Sequence, residues 1–552
     1  MKKLLTLFFL LTGLYPIVAQ STFVPYNREY YHLIDRFQIK YGNADNILPT
    51  TFKPIRRSDL SDFLLSIEDK YEDLKPEDKF NLEFLMNDNW EWTNSAYNEN
   101  PKHWWNLAYE RKSDFFVYEN ENLTLRINPV FHFEFGRGRD EPQSLFTNTR
   151  GFEAHGIVDD KIGFYTFLST TQSILPNYVR DLTFPNGSLP YEASWKAFNE
   201  NGYDYFHARG YLTFNLSKSI DVQAGYDRNF IGNGLRSMIL SDFSSPYLFG
   251  KINTRVGRIQ YTNLYTQMTS DIQYNQGFPG EGDYPKKFLV MHRLGLDVTP
   301  KLNIGISEFV VSESSRIEYF NPIIFLRSLE LANGSPGNVL ISFDVNYVYK
   351  NQFRFYGQFF FDDFEISALR NPNNPWEVKF GAQLGLKYID AFNINTLDLQ
   401  LETNLSRPYF YAHEFQETSF TNNRSPLAHP IGANFREFIL AGTYQPFPKL
   451  TVYSKFITTK YGDDVNGMNF GRNPLLDTDD RIAQTGIVIG QGEETRLNYF
   501  ELTGSYMLLH NVFIDWKNVF RDLNSENPNN SSSTFITQIA LRWNLPQRHH
   551  EF

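Results

Sequence analysis

Residues 123–135 read LTLRINPVFHFEF, with Leu123, Leu125, Ile127, Pro129, Phe131, Phe133 and Phe135 on one set of alternate positions. Thr124, Arg126, Asn128, Val130, His132 and Glu134 occupy the other set. A period of two over that length predicts a strand with two different faces. The same alternation recurs from about residue 104 onward, in KIGFYTFLST, ARGYLTFNL, HRLGLDVT, KLNIGISEF, VLISFDVNYVY, LDLQLETN and YFELTGSYML, among others. Turn-rich runs such as RNPNNP, GDDVNG and NPNNSSS separate some of these segments. Roughly 430 residues, at about 20 to 25 per strand and connection, give about 16 to 20 strands, within the range of outer-membrane barrels. Charges fall mostly on the less apolar face. An Arg turned toward lipid near the midplane costs about 2–4 kcal/mol, so Leu125 to Phe133 are expected to face lipid. Arg126, Asn128, His132 and Glu134 are then expected in the lumen.

Before residue 93 the period is helical. Tyr30, Leu33, Ile34 and Phe37 fall at i, i+3, i+4 and i+7, as do Leu60, Phe63, Leu64 and Ile67. Ser58 or Asp59 is expected to cap the second helix, and Pro76 to open a third through Phe80, Phe84 and Leu85. The opening MKKLLTLFFLLTGLYPIVAQ has a basic start, an apolar run and a small residue, Ala19, before Gln20. It reads as a secretory signal peptide cleaved between Ala19 and Gln20. The expected organisation is a signal peptide over 1–19, a helical periplasmic bundle over 20–103 and an all-β transmembrane barrel over 104–552.

Composition sharpens this picture. With no cysteine in the chain, a disulfide framework, a thiolate metal site, a cysteine nucleophile and lipid attachment at an N-terminal cysteine are all excluded. The 51 Phe and 33 Tyr suit aromatic girdles. A mean hydropathy of −0.43 is too polar for a helical membrane protein but is compatible with a barrel that hides its lipid face in alternation. A formal charge of −11 argues against a nucleic-acid partner.

Four segments interrupt the alternation: 227–249 (DRNFIGNGLRSMILSDFSSPYLF), 264–311, 317–344 (IEYFNPIIFLRSLELANGSPGNVLISFD) and 406–438 (containing SRPYFYAHEFQ and SPLAHPIGANFREF). With VPYNREYYHLIDRFQIKYG, FKPIRRSDLSDFL, YGQFFFDDF and FGAQLGLKYID, they resemble Bacteroidota outer-membrane barrels of the capsule-assembly Wzi-like and RemB gliding-motility type. The resemblance implies about eighteen antiparallel strands, a helical bundle closing the periplasmic end, and a lectin role on capsular polysaccharide or a part in gliding. Its sugar-binding residues do not transfer position by position. The final strand STFITQIALRWNL and the terminal Phe552 resemble the C-terminal signal by which such barrels are recognised for assembly.

Candidate chemistry is sparse. Gly232 and Gly234 in FIGNGLRS mark a sharp reversal, with Arg236 expected in the lumen. Around the run Asn333 to Gly337, expected to fold into the lumen or cross its mouth, lie Arg316, Tyr319, Arg327, Glu330, Asn333, Asn338 and Asp344. These types hydrogen-bond and stack on sugars, but they equally make a polar network that fills the pore. His429 and Asn434 join them as ligand candidates. Ser241, His413 and His429 lack a nucleophile motif such as G-x-S-x-G, so no enzyme is expected. His549 and His550 are expected in a terminal turn, Asp362 and Asp363 in a solvated one, and no metal or cofactor is expected. Expected partners are outer-membrane lipid, surface or capsular polysaccharide, and gliding-motility or other outer-membrane proteins. A porin-like channel, a surface hydrolase and an accessory subunit of a gliding or secretion complex are the alternatives.

Overall fold

A computed structural model describes residues 20–42, 48–93, 96–98, 109–192, 194–271, 284–323, 325–334, 337–362 and 370–552. The expected signal peptide, Ser335, Pro336 and Asp363 lie outside them. No described helix is long and apolar enough to cross a membrane.

Eighteen antiparallel strands close into a barrel. In chain order they are β1 Leu123–Gly138, β2 Leu145–Val158, β3 Ile162–Ile174, β4 Gly202–Ser217, β5 Ile220–Asp227 and β6 Tyr247–Val256. Then come β7 Ile259–Thr269, β8 Lys286–Thr299, β9 Leu302–Ser312, β10 Asn338–Tyr349, β11 Phe353–Asp362 and β12 Phe380–Tyr388. The last six are β13 Leu397–Ser406, β14 Phe435–Phe447, β15 Leu450–Asp463, β16 Glu493–Leu509, β17 Val512–Ser525 and β18 Ser532–Trp543. β18 pairs with β1, Ile539 opposite Phe135 and Trp543 opposite Phe131, and so closes the ring. One rim carries tight connections, such as 218–219, 257–258, 300–301 and 510–511; the other carries long ones, such as 175–201, 228–246, 313–337, 407–434 and 464–492. Short turns are the periplasmic end of such barrels and long loops the extracellular end.

The alternation reads as expected in β1. Arg126, Asn128, Val130 and His132 are buried toward the lumen, while Phe133 and Phe135 are exposed on the outside. The other strands repeat this, with Leu294, Ile306, Phe343, Phe500 and Phe535 exposed and their sequence neighbours buried.

Three helices, α1 (Arg28–Tyr41), α2 (Arg57–Glu68) and α3 (Pro76–Asp88), form a small body with its own core, including Ile34, Phe37, Leu60, Phe63, Leu64, Leu82 and Leu85. Asn27 caps α1, its side-chain oxygen accepting from the backbone of Glu29 and Tyr30. Pro76 opens α3 as expected. α2 departs from expectation: it starts at Arg57 with no side-chain cap, and Ser58 and Asp59 lie inside its first turn. There Asp59 complements the helix dipole without serving as the cap.

This body docks at the tight-turn rim. The Arg36 guanidinium reaches Asp78 of α3 at 3.0 Å, and Asp390 and Asp398 of the β12–β13 connection and β13 at 2.7 and 2.6 Å. His510 in the β16–β17 turn bonds Asp88 at 2.6 Å, and Asn81 bonds Gln445 at 2.7 Å. Burial pushes carboxyl pKa values up, but at Asp390 the Arg36 and Lys40 charges prevail and bring it down to about 2. The helical body therefore closes the tight-turn end of the barrel.

Candidate functional site at the extracellular mouth

The lumen is filled by segments entering from both ends. From the helical side, Phe52–Lys53 pairs antiparallel with Phe230–Ile231 of the long 228–246 connection, which folds inward from the opposite rim. Lys53 donates to the Gly232 carbonyl at 2.6 Å and lies over the Phe230 ring. Burial brings its ammonium pKa down to about 7, against the pull of Asp35. Gly232 makes the reversal at φ +135°, where a Cβ would meet Gln358 at 2.5 Å. Arg236 does lie in the lumen. Glu402 on the wall accepts the backbone N–H groups of Leu235 (2.8 Å) and Arg236 (3.1 Å), and Gln358 accepts that of Met238 (2.8 Å). Met238, Ile239 and Leu240 then join Leu264, Met291, Phe309, Phe360, Phe410, Tyr411 and Phe420 in an apolar core inside the barrel.

The C-terminal tail also enters, and here one expectation is corrected. The last strand, expected over STFITQIALRWNL, runs Ser532–Trp543, and Phe552 lies beyond it in a tail inside the barrel. Residues 545–552 run without regular structure into the lumen, so His549 and His550 are in an extended tail and not in a turn. Phe552 packs edge-on against Tyr178 and Phe243 of the inward-folded loops. Glu551 meets Arg28 at 2.9 Å, Arg236 at 3.1 Å and also Lys455. Burial would raise the Glu551 carboxyl, but Arg28, Lys455 and Arg236 hold it well below the usual range. Glu501, His549 and Glu551 come close together, but Glu551 already faces these three cations and Glu501 faces Lys455 and Lys517. Adjoining cavities of 170, 120 and 100 Å³ remain beside the tail and α1.

The sequence candidates scatter. His429 is fully buried, its Nε2 2.8 Å from Glu437 and its ring stacked on Phe435. Ser241 donates to the Ala428 carbonyl, so this hydroxyl and the imidazole are committed to different partners. Asn434, at φ +57°, donates to the Gly462 and Gln491 carbonyls and accepts from Gly490 N–H. Asp344 faces the lumen and binds Arg293 through two hydrogen bonds of 2.7 and 3.1 Å. Asn338, also lumenal, donates to the Thr418 carbonyl at 3.1 Å. Asp362 pairs with Lys379. Gln20 donates to Thr213 Oγ1 at 2.8 Å, where the chain enters the barrel.

Arg316, Tyr319, Arg327, Glu330 and Asn333 are neither lumenal nor across the mouth. The 313–337 connection, with helix Leu326–Ala332, folds over the outside of the wall. Tyr319 and Leu326 pack on Val290, Val310 and Val339. These strand residues have the opposite parity to Leu289, Met291, Phe309 and Leu340 of the lumenal core. The wall's parity, invisible in the loop's own composition, decides the side.

What does reach the mouth is a platform where three loops meet. Trp376 N–H donates to the Gln484 carbonyl, Gly486 N–H to Asn373 and Ile487 N–H to Asn374, joining the 370–379 and 464–492 segments. Arg407 donates to the Val378, Pro375 and Ile487 carbonyls. Tyr409, held at φ +65°, hydrogen-bonds the Asn469 carbonyl through its hydroxyl. So bulky a residue in the left-handed region is costly, and such strain concentrates at functional positions. Arg481 lies 4.2 Å and Lys379 5.5 Å from the half-buried Trp376 ring. Phe415, Ile482 and Val488 stand exposed on these same loops. His413 bonds Thr418, and burial brings its imidazole down to about 4, so it is neutral there. Sequence reading missed Trp376 because RNPNNPW reads only as a turn; a tryptophan directly after a turn was the available signal.

A family model, that of capsule assembly protein Wzi, matches residues 191–516. The chain belongs to the capsule assembly protein Wzi family. It is an outer-membrane β-barrel. Among solved structures, Wzi of Escherichia coli, an outer membrane protein involved in group 1 capsule assembly and described as a carbohydrate-binding β-barrel, aligns over 96% of this chain and 100% of its own. The identity is 13% and the TM-score 0.54, a likeness of fold. OprD of Pseudomonas aeruginosa aligns over 77% of this chain and 95% of its own, at 11% identity and a TM-score of 0.42. A search of curated proteins finds no match.

Proposed function

We propose that this Wzi-family barrel is a non-catalytic lectin that holds capsular or other surface polysaccharide at its extracellular mouth. The observation that carries the reading is the Trp376 platform, an aromatic ring beside Arg481 and Lys379 set above a filled lumen. Sugar rings stack on aromatic faces, and guanidinium and amide groups bond their hydroxyls and carboxylates. Each contact is weak, and repetition along a polymer supplies the grip. In this reading ligand contacts belong to the mouth loops, while His429, Asn434, Asn338 and Asp344 shape the wall and plug beneath. The lumenal packing favours a closed barrel over a porin-like channel. The same grip on surface polymer would serve adhesion and gliding. We further propose the division into a signal peptide over 1–19, a periplasmic helical body over 20–103 and a barrel thereafter.

The test is binding of detergent-solubilised protein to the organism's own surface polysaccharide on a biosensor. Saturable binding that soluble oligosaccharide competes away is expected, with Trp376→Ala weakening it about tenfold, a stacking contribution of about 1–1.5 kcal/mol. Well-folded protein that fails to bind would overturn the reading.

A further inference from the structure

The outer wall carries a polar row where its neighbours are apolar. Asn263 of β7, His292 of β8 and Glu308 of β9 are direct cross-strand partners, and all three point away from the lumen. Glu308 follows Leu302, Ile304 and Ile306 on the outward face, and His292 follows Val298, Leu296 and Leu294. On β10 the cross-strand partner of Glu308 is the apolar, half-buried Ile341, and that of Ile306 is the exposed Phe343. Six residues from Leu302 to Glu308 rise about 20 Å along the strand, or about 15 Å along the membrane normal at a tilt of about 40°. That is inside an apolar band about 25 Å tall. An uncovered His–Glu pair at this depth would be expensive.

The 313–337 connection covers it. Asn263 donates to the Pro322 carbonyl at 3.1 Å, and Glu308 accepts Leu326 N–H at 3.0 Å. Tyr265 stacks on Phe320 at 5.2 Å. His292 is buried, with its Nδ1 3.4 Å from Glu308. The loop residues that meet the polar row are Pro322 and Leu326, with Ile323 and Phe325 beside them. The outward side chains of this stretch are apolar: Ile323 is 84% exposed and Phe325 76%, with Ile317, Phe320 and Leu331 beside them.

Several polar groups on this segment are turned inward or onto their own backbone, while the buried Tyr319 hydroxyl has no hydrogen-bond partner among the described residues. Asn321 accepts Ile323 N–H at 3.1 Å, and Ser328 donates to the Phe325 carbonyl at 2.7 Å. Of the three charged residues between 317 and 331, Glu330 is buried and accepts Gly337 N–H, Glu318 accepts from Asn333, and Arg327 is half-buried. Internal satisfaction of backbone and side-chain polarity is what a hydrocarbon surrounding demands.

We propose that the 313–337 connection is a membrane-embedded flap, docked on the outside of the barrel, whose Ile317, Phe320, Ile323, Phe325 and Leu331 contact the acyl chains of the outer leaflet. Its apolar surface continues the lipid-facing band of Leu294, Ile306 and Phe343 and replaces the polar row with a lipid-matched one.

The chain has no cysteine, so single-cysteine variants carry a spin label without background. Ile323→Cys and Phe325→Cys, in the full-length barrel reconstituted in dioleoylphosphatidylcholine vesicles, are compared with Ile306→Cys on the wall and Asp479→Cys on an extracellular loop. Collision with oxygen and with a water-soluble nickel chelate is measured for each. The expected result is high oxygen and low nickel accessibility at 323 and 325, giving a depth parameter of the same sign as at 306 and opposite to that at 479. Nickel accessibility like that at 479 would overturn the proposal in favour of a solvent-facing loop. Low accessibility to both reagents would overturn it in favour of a protein contact, such as a second copy of the chain. Ile323 and Phe325 are exposed, so their replacement leaves the fold intact, which retained heat-modifiable gel migration verifies.

Discussion

Two long connections leave the same rim of the barrel and turn opposite ways. The 228–246 segment folds into the lumen and the 313–337 segment over the outer wall, yet both dock by one device: a wall side chain takes up loop backbone. Inside, Glu402 and Gln358 accept N–H groups of Leu235, Arg236 and Met238. Outside, Glu308 accepts Leu326 N–H and Asn263 donates to the Pro322 carbonyl. The parity of those wall residues decides the direction, since successive strand positions point to opposite faces. The two loops then differ in what covers them. The inner loop is buried on every side and tied by ion pairs to the tail and wall; the outer one is covered on one side only.

The largest effect should come from breaking the inner network at Arg236, which pairs with Glu437 and Glu551 and donates to the Glu551 carbonyl. Arg236→Ala leaves two buried carboxylates less compensated, a loss of about 3–5 kcal/mol. Urea unfolding in detergent, read by gel migration, measures it. Conductance steps absent from the parent protein are expected as the inner loop and tail loosen. An unchanged midpoint would mean that the lumenal packing holds the plug without this ion pair.

Much of this comparison was written in the chain, and the missing part has a physical reason. The strands, the inward Arg126, Asn128, His132 and Glu134, the helical body and the reversal at Gly232 all follow from local periodicity and backbone preference, which act over a few residues. The direction of the 313–337 loop depends instead on Asn263, His292 and Glu308, which come from three different strands. Nothing within Arg316 to Asn333 encodes it. Arg, Tyr and Asn there are as compatible with a sugar site as with a docked flap. The tail misled for a related reason: His549 and His550 read as a terminal turn until the nine residues after Trp543 are seen to have Arg28, Arg236 and Lys455 waiting for Glu551. The mouth platform was hidden because its residues are far apart in sequence and their loops are joined mainly by backbone hydrogen bonds.

Acid should separate the two regions by a smaller amount. The Glu551 carboxyl sits well below its ordinary value in the folded protein because of its three cationic neighbours, despite burial. A depressed folded pKa contributes stability that is fully present above the unfolded value of about 4.3 and is lost as pH falls toward the folded one. At pH 3 the loss is about 2 kcal/mol. A label on the tail, at Gln547→Cys, should gain mobility between pH 5 and 3, values of about that size following from the unfolded carboxylate. A label at Ile323→Cys should move less, because the flap is held by apolar packing, by Asn263 and by Glu308 and Glu330 as acceptors of backbone N–H, a bond whose carbonyl oxygen a protonated carboxyl retains. Equal mobilisation of both labels would show that acid acts on the whole barrel and not on the ion-paired tail.

The smallest effect is the most discriminating, because it compares one chemical change at two loops. Ile239 in the inner loop is fully buried, whereas Ile323 in the flap is largely exposed. Removing one methylene as Ile239→Val should cost about 1 kcal/mol, the sum of lost transfer energy and an unfilled gap. In detergent, Ile323→Val leaves no gap and should stay within about 0.5 kcal/mol of the parent. If the two substitutions cost the same, the outward face of the flap is packed against protein, and the two loops are two internal plugs. If only Ile239→Val registers, the wall has sent one loop to protein and the other to lipid.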